Sequence, residues 1–221
     1  MASIIAVGDI HGCLNELNNL IGKMPIKSSL LVFLGDYIDR GPNSYGVIEY
    51  IKYLENTNRK YRTVFLRGNH EDMLLKAIDG EGPVDWHHIW INNGGVQTLQ
   101  SYGVSNIFEL RDKYPSHIKF LRNTKIEHET EKHIFVHAGF SWSEPFFDAR
   151  LWSRVVPTRK ITDKNIICGH NPQKEPLIND ACICIDTGAC FPPGQSSGGY
   201  LTGVKIREDE EPSRYTFYKS G

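Results

Sequence analysis

The sequence has little of what marks several specialised classes of protein. Its five cysteines are an odd number without a C-x-x-C pair, which argues against a disulfide framework. No apolar run approaches the length of a membrane span, and the first residues lack the regions of a signal peptide. The formal net charge of −1 provides no global basic field for nucleic acid or an anionic membrane. We therefore expect a cytoplasmic protein that binds neither.

The cysteines that are present have two interpretations. Cys182 and Cys184 are two residues apart in an apolar run, so on a strand they share one face, and buried reduced thiols explain them most simply. Cys13 directly follows a polar motif and is the candidate for a redox-sensitive thiol.

The chain of 221 residues is long enough for one sizeable core, and we expect a single domain over residues 1–221. In the first part, short apolar runs alternate with helical patterns, which predicts β-α-β units and a largely parallel sheet. Residues 80–95 are rich in Gly, Trp, His and Asn and are expected to form a loop or lid. Predicted strands cover residues 3–7, 30–34, 63–66, 134–137, 166–168, 182–186, 200–206 and 215–218. Predicted helices cover about 14–21, 47–54 and 107–121, and a further helix begins at about residue 71.

Polar side chains follow the C-terminal ends of five predicted strands, where ligand sites form in open α/β sheets. Alone, each motif has another explanation, since Asp9 or Asn69 could cap a helix and His137 could be a core histidine. Together they are poorly explained as turns, because four of the five contain histidine. The motifs are GDIHG from Gly8, GDYIDRG from Gly35, RGNHE from Arg67, HAG from His137 and GHNP from Gly169.

Mixed carboxylate and imidazole side chains suit a transition metal better than calcium or magnesium. Six ligands are too many for one open catalytic ion, but they suffice for two ions if one carboxylate bridges them. With this set complete, His87 and His88 are not expected to be ligands. The six candidate ligands are Asp9, His11, Asp36, Asn69, His137 and His170.

In this order the motifs resemble those of the phosphoprotein-phosphatase family of metallophosphoesterases, in particular its small bacterial and phage members. The resemblance extends from Gly8 to about Ala189. It implies an α/β fold, a calcineurin-like metallophosphatase β-sandwich flanked by helices in α/β/β/α layers. It assigns Asp9 and His11 to the first metal, Asp36 to the bridge, and Asn69, His137 and His170 to the second metal.

The same resemblance implies further roles. Asp39 and His70 would pair, with the imidazole as an acid for the leaving oxygen, and Arg40 and Arg154 would bind the phosphate. A carboxylate beside His70 is expected to raise its pKa. Two divalent ions, Mn²⁺ first and Fe or Zn as compatible alternatives, would convert a bridging water into a hydroxide nucleophile, so that no phosphoenzyme forms. After Gly169-His170 the chain has Asn171 instead of a second metal-binding histidine, which fits the phosphatase branch.

Three functions remain open. The leading one is a monomeric serine/threonine protein phosphatase that acts on phosphorylated proteins or peptides, with phosphotyrosine or phosphohistidine as further substrates. The alternative is a symmetrical dinucleoside tetraphosphate hydrolase, against which the aspartate before Arg40 argues. A metal-binding scaffold without catalysis should have lost ligands, and all are present. The segment from Trp86 to Gly95 either shapes the substrate groove or is a helix that packs its tryptophans on the core.

Overall fold

The computed structural model describes residues 3–57, 61–140, 148–194 and 196–221. The strands are β1 Ile4–Val7, β2 Leu30–Phe33, β3 Arg62–Phe65, β4 Glu127–Glu129, β5 His133–Val136, β6 Asn165–Cys168, β7 Leu177–Ile178, β8 Cys182–Cys184, β9 Thr202–Ile206 and β10 Thr216–Lys219. The α-helices are α1 Leu14–Lys23, α2 Ser44–Thr57, α3 Asn69–Asp79, α4 Trp86–Trp90, α5 Val96–Tyr102, α6 Ile107–Lys113, α7 Pro115–Arg122 and α8 Ala149–Trp152. A kinked π-helical turn, Ile91–Gly95, in which Asn93 and Gly94 have non-helical backbone angles, joins α4 to α5, and a 3-10 turn covers Pro212–Arg214.

The strands form two mixed sheets. In the first, with the order β10-β9-β1-β2-β3, the strands β1, β2 and β3 are parallel to one another. Strand β9 pairs in antiparallel fashion with both β1 and β10. In the second, with the order β4-β5-β6-β8-β7, a parallel centre of β5, β6 and β8 has an antiparallel strand on each edge. The predicted β-α-β units and parallel pairing are therefore confirmed.

The alternation of side chains along each strand divides the core into layers, because successive residues point to opposite faces. On β1, Ile5 and Val7 pack with the helices, whereas Ile4 and Ala6 face the second sheet. Phe135 of β5 and residues of β6 and β8 meet them from the other side. The predicted sandwich of two sheets flanked by helices is confirmed.

The prediction of a loop or lid over residues 80–95 is wrong for its second half. Helix α4 buries Trp86 and Trp90, and the π-helical turn follows it directly. The glycines suggested a loop, but Gly95 allows the backbone to lie against the Trp90 ring, which a Cβ would approach to 2.6 Å. The segment thus contains a helix that packs its tryptophans on the core, as the second interpretation expected, while a role in shaping the substrate groove stays a prediction.

The remaining differences are at short elements. Helix α6 ends just before Pro115 and α7 begins at it, as the predicted break requires, but β4, β7, α5 and α8 were not foreseen. Among the described residues, no helix combines the length and apolar composition needed to cross a bilayer.

The contact between the sheets predicts a large effect of truncating Phe135. This side chain is fully buried, so Phe135→Ala should lower the free energy of unfolding by roughly 3–5 kcal/mol, measured by urea denaturation. Phe108 is 53% exposed, and Phe108→Ala serves as the matched control with a change within about 0.5 kcal/mol. Equal losses for the two variants would contradict the packing described here.

Candidate metal centre

The parallel strands of both sheets direct their C-terminal ends to one edge of the sandwich, and the predicted site residues lie there. In the first sheet, β1 leads to Asp9 and His11, β2 to Asp36 and Asp39, and β3 to Asn69 and His70. In the second sheet, β5 leads to His137, β6 to His170 and β8 to Asp186. Convergence at the carboxyl ends of strands is the usual location of ligand sites in such sheets.

The buried carboxylate of Asp36 lies at the centre. Its Oδ2 is 3.3 Å from Nε2 of His11, 3.5 Å from Nε2 of His137 and 4.0 Å from Nε2 of His70. Potential ligand atoms form two compact groups, one of His11, Asp36 and His70 and one of Asp36, His137 and His170. Asp36 belongs to both groups, which is the position expected of a bridging ligand.

Second partners orient the histidines toward this centre. Nδ1 of His11 lies 2.9 Å from the carbonyl oxygen of Ile38, and Nδ1 of His137 lies 3.0 Å from that of Leu34. Because a carbonyl only accepts, each Nδ1 carries the proton and each Nε2 presents a lone pair toward the centre, as in metal-binding histidines. Nε2 of His137 then faces Oδ1 of Asn69 at 3.1 Å. Both atoms are acceptors in this arrangement, and two neighbouring acceptors are what two ligands of one cation provide.

Unpartnered buried atoms provide a direct test of whether the residues fit a metal. Oδ1 of Asp9 and Nε2 of His170 are buried and have no hydrogen-bond partner. Such atoms are costly to bury unless a cation or water satisfies them. Asp9 belongs to neither compact group, but its Oδ2 accepts a hydrogen bond from the backbone N–H of His170 at 3.0 Å. The donor set fits divalent cations.

The charges of the site's own residues support the same conclusion. Burial raises the pKa of Asp9 well above its ordinary value, and the neighbouring Asp186 and Asp36 add to the effect. Burial also raises the pKa of Asp186 to about 6. For Asp36, burial is outweighed by His137, His70 and His11, which hold its pKa well below the usual range. Several carboxylates buried together need a compensating positive charge.

The backbone of the site is strained, and glycines make room for the ligands. A Cβ on Gly68 would collide with Oδ1 of Asp36, and one on Gly169 would collide with Oδ1 of Asp9. Six described residues other than glycine have a positive φ, and five of them are predicted site residues: His11, Asp36, Asp39, Arg40 and His170. Such a strained backbone conformation is characteristic of functional sites.

Asp39 and His70 form the predicted pair, with Oδ2 and Nδ1 at 2.7 Å and both side chains fully buried. The expected rise in the pKa of His70 is wrong, because burial lowers this pKa well below its ordinary value. Burial also raises the pKa of Asp39 to about 8. Because Nδ1 is hydrogen-bonded to Asp39, the ring nitrogen left for a further partner is Nε2, which lies 4.0 Å from Oδ2 of Asp36. This Nε2 is buried and has no hydrogen-bond partner.

The two arginines differ in their placement. Nη1 of Arg40 lies 2.8 Å from Nε2 of His11, and its guanidinium is 5.4 Å from the centre of the Phe191 ring. Arg154 is exposed, and its charge helps to lower the pKa of His170, behind the larger effects of burial and His137. Both arginines thus lie at the site, while their phosphate-binding roles stay predictions.

The cysteines are free thiols throughout the described residues. Cys182 and Cys184 are buried on β8, as expected. Burial raises the pKa of Cys13 to about 12, so little thiolate exists at neutral pH, which argues against a redox-sensitive role.

Sequence reasoning gave no role to one supporting residue and to one member of the site. Glu71, quoted only as part of a motif, accepts hydrogen bonds from the backbone N–H groups of Asp36, Tyr37 and Gly68 at 2.8–2.9 Å. Asp186 joins the buried carboxylates next to Asp9. Its position at the end of the β8 run was the available signal.

The sequence profile of the calcineurin-like phosphoesterases matches residues 2–197, and the chain belongs to this family. It is 28% identical to the asymmetrical bis(5'-nucleosyl)-tetraphosphatase PrpE of Oceanobacillus iheyensis, over 92% of this chain and 88% of that protein. It is also 28% identical to serine/threonine-protein phosphatase 1 of Salmonella typhimurium, over 91% of this chain and 90% of that protein. A solved structure of a putative diadenosine tetraphosphatase superposes with a TM-score of 0.60 at 18% identity, covering 99% and 93% of the two chains. The chain is thus a metallophosphoesterase.

The central position of Asp36 predicts that its loss abolishes binding of both metals. Equilibrium dialysis against Mn²⁺ followed by elemental analysis should find about two ions per wild-type chain and fewer than one in Asp36→Asn. The exposed Asp163 offers a matched control, since Asp163→Asn should bind like the wild type. Full occupancy in Asp36→Asn would disprove the bridging role.

Proposed function

We propose that the chain is a two-metal hydrolase of phosphate monoesters, with phosphoserine and phosphothreonine in proteins as its main substrates. One observation carries this proposal: the buried Nε2 of His70, which has no partner and belongs to an imidazole fixed by Asp39 at 2.7 Å. A group in this position can donate a proton to a leaving oxygen.

The need for such an acid depends on the leaving group. A serine or threonine alkoxide is strongly basic and leaves only when it receives a proton, whereas a phosphate leaving group, whose second pKa is about 6, needs no such assistance. A dedicated buried acid therefore favours ester substrates over phosphoanhydrides. The relationship to the Salmonella protein phosphatase supports the same choice.

The protein would use its own residues for binding and proton transfer. Asp9, His11, Asp36, Asn69, His137 and His170 would hold two divalent cations, for which we propose Mn²⁺. These ions, when bound, would lower the pKa of a water and neutralise the phosphate. Arg40 and Arg154 would bind phosphate oxygens through their planar guanidinium groups. His70 would protonate the leaving oxygen from Nε2, and the Asp39 carboxyl group, hydrogen-bonded to Nδ1, would return a proton to the imidazole.

Hydrolysis of dinucleoside tetraphosphates is the second candidate. Several relatives carry that activity in their names, and those names say asymmetrical, whereas the sequence suggested the symmetrical type. Phe191, 38% exposed beside Arg40, offers an aromatic surface at which a base could stack. We propose a cytoplasmic monomer for either activity.

A comparison of substrates tests the proposal. With Mn²⁺, the wild type should cleave p-nitrophenyl phosphate and a phosphothreonine peptide with higher kcat/KM than diadenosine tetraphosphate. His70→Asn should lose about a hundredfold or more on the peptide, because its alkoxide needs the proton, and much less on the dinucleotide. The exposed His87 provides the control variant, His87→Asn, with unchanged rates.

Metal content separates the role of an acid from that of a ligand, because His70 also belongs to one compact group. His70→Asn should retain both ions. Loss of an ion would make His70 a ligand, and a preference for the dinucleotide would favour the second candidate. Stoichiometric metal binding without turnover of any of the three substrates would contradict catalysis and indicate a metal-binding scaffold.

A further inference from the structure

Two side chains outside the predicted site reach the carboxylate of Asp39. The indole Nε1 of Trp90 donates a hydrogen bond to Oδ1 of Asp39 at 3.1 Å, and Oγ1 of Thr98 donates to the same oxygen at 2.7 Å. Trp90 and Thr98 are both fully buried. Trp90 ends α4 and Thr98 lies in α5, so the two helices deliver one donor each.

The hydroxyl of Thr98 also holds the backbone of Asp39. It accepts a hydrogen bond from the backbone N–H of Asp39 at 2.9 Å, and it lies 3.0 Å from Oγ of Ser44, which accepts from the same N–H at 3.1 Å. Because the Thr98 hydroxyl donates its one hydrogen to Oδ1 of Asp39, it accepts the hydrogen bond that Ser44 donates. Every hydrogen-bonding position of this hydroxyl is therefore occupied.

These contacts divide the two oxygens of Asp39. Oδ1 is taken by Trp90 and Thr98, which leaves Oδ2 for Nδ1 of His70. The backbone of Asp39 has a φ of 72°, a conformation that a residue with a side chain rarely adopts without support. The carboxylate thus has one orientation, and the imidazole ring that binds it is fixed in turn.

The π-helical turn between the two helices makes this arrangement fit. Gly94 has a φ of 106°, and its carbonyl oxygen accepts a hydrogen bond from the backbone N–H of Arg40 at 3.2 Å. A Cβ on Gly94 would lie 2.6 Å from the backbone nitrogen of Arg40. The segment therefore packs directly on Asp39 and Arg40.

We propose that Trp90 and Thr98 are positioning residues, which hold the Asp39 carboxylate so that His70 presents its Nε2 proton to the leaving oxygen. The inference rests on the proposed acid role of His70. Neither side chain needs to touch the substrate, because each acts through Asp39.

The test uses variants that remove one hydrogen bond and keep the shape. Trp90→Phe removes the indole N–H, and Thr98→Val replaces the hydroxyl by a methyl group. Thr98→Ser keeps the hydroxyl, and Trp86→Phe changes a buried tryptophan of the same helix, so both serve as matched controls. Thermal melting and bound Mn²⁺ are measured for every variant to confirm folding and metal content.

The readout is the dependence of kcat/KM on the leaving group, which a general loss of structure would not change. Phenyl phosphate needs the proton more than p-nitrophenyl phosphate, whose leaving group is less basic. Trp90→Phe and Thr98→Val should lose about tenfold or more on phenyl phosphate and no more than about threefold on p-nitrophenyl phosphate. Thr98→Ser and Trp86→Phe should match the wild type. In an Asp39→Asn background, the two substitutions should add no further loss.

The outcomes separate this inference from the proposed function. If His70→Asn itself shows no dependence on the leaving group, the acid role of His70 fails. If His70→Asn shows the dependence and both Trp90→Phe and Thr98→Val lack it, only the positioning role is overturned. Equal losses on both esters, or full additivity with Asp39→Asn, would also overturn it.

Discussion

The buried carboxylate of Glu71 joins the two loops that carry most of the site. It accepts hydrogen bonds from the backbone N–H groups of Asp36 and Tyr37 after β2 and from that of Gly68 after β3. These hydrogen bonds hold a loop whose Asp36 has a φ of 51°. Because of this connection, the backbone N–H of His70 reaches Oδ1 of Asp36 at 3.1 Å.

The second sheet completes the site through contacts that cross the sandwich. Nδ1 of His137 binds the carbonyl oxygen of Leu34, and the backbone N–H of His170 binds Oδ2 of Asp9. Each contact links a loop of one sheet to a loop of the other. The positions of the candidate ligands therefore depend on how the sheets pack through residues such as Phe135 and Ile167. Catalytic geometry and core packing are in this sense one property of the fold.

Much of the candidate site could be predicted because its residues directly follow strands. Apolar runs located β1, β2 and β3 within one residue at each end, and the polar motifs after them identified Asp36, Asp39 and His70. The pKa of His70 could not be predicted in the same way. A neighbouring carboxylate suggested a rise, but full burial decides the direction, and burial depends on residues far along the chain.

The sequence by itself determined which residues form the candidate site, because strand periodicity, glycine at tight turns and the order of the motifs are local properties. Only the tertiary structure decided how those residues are held. The segment from Trp90 to Thr98 contains glycines that suggested a loop, yet most of it is helical, and Trp90 and Thr98 donate hydrogen bonds to Asp39. Glu71 and Asp186 likewise act through partners distant in sequence. Such contacts arise from long-range packing, which leaves no periodic signal in the chain.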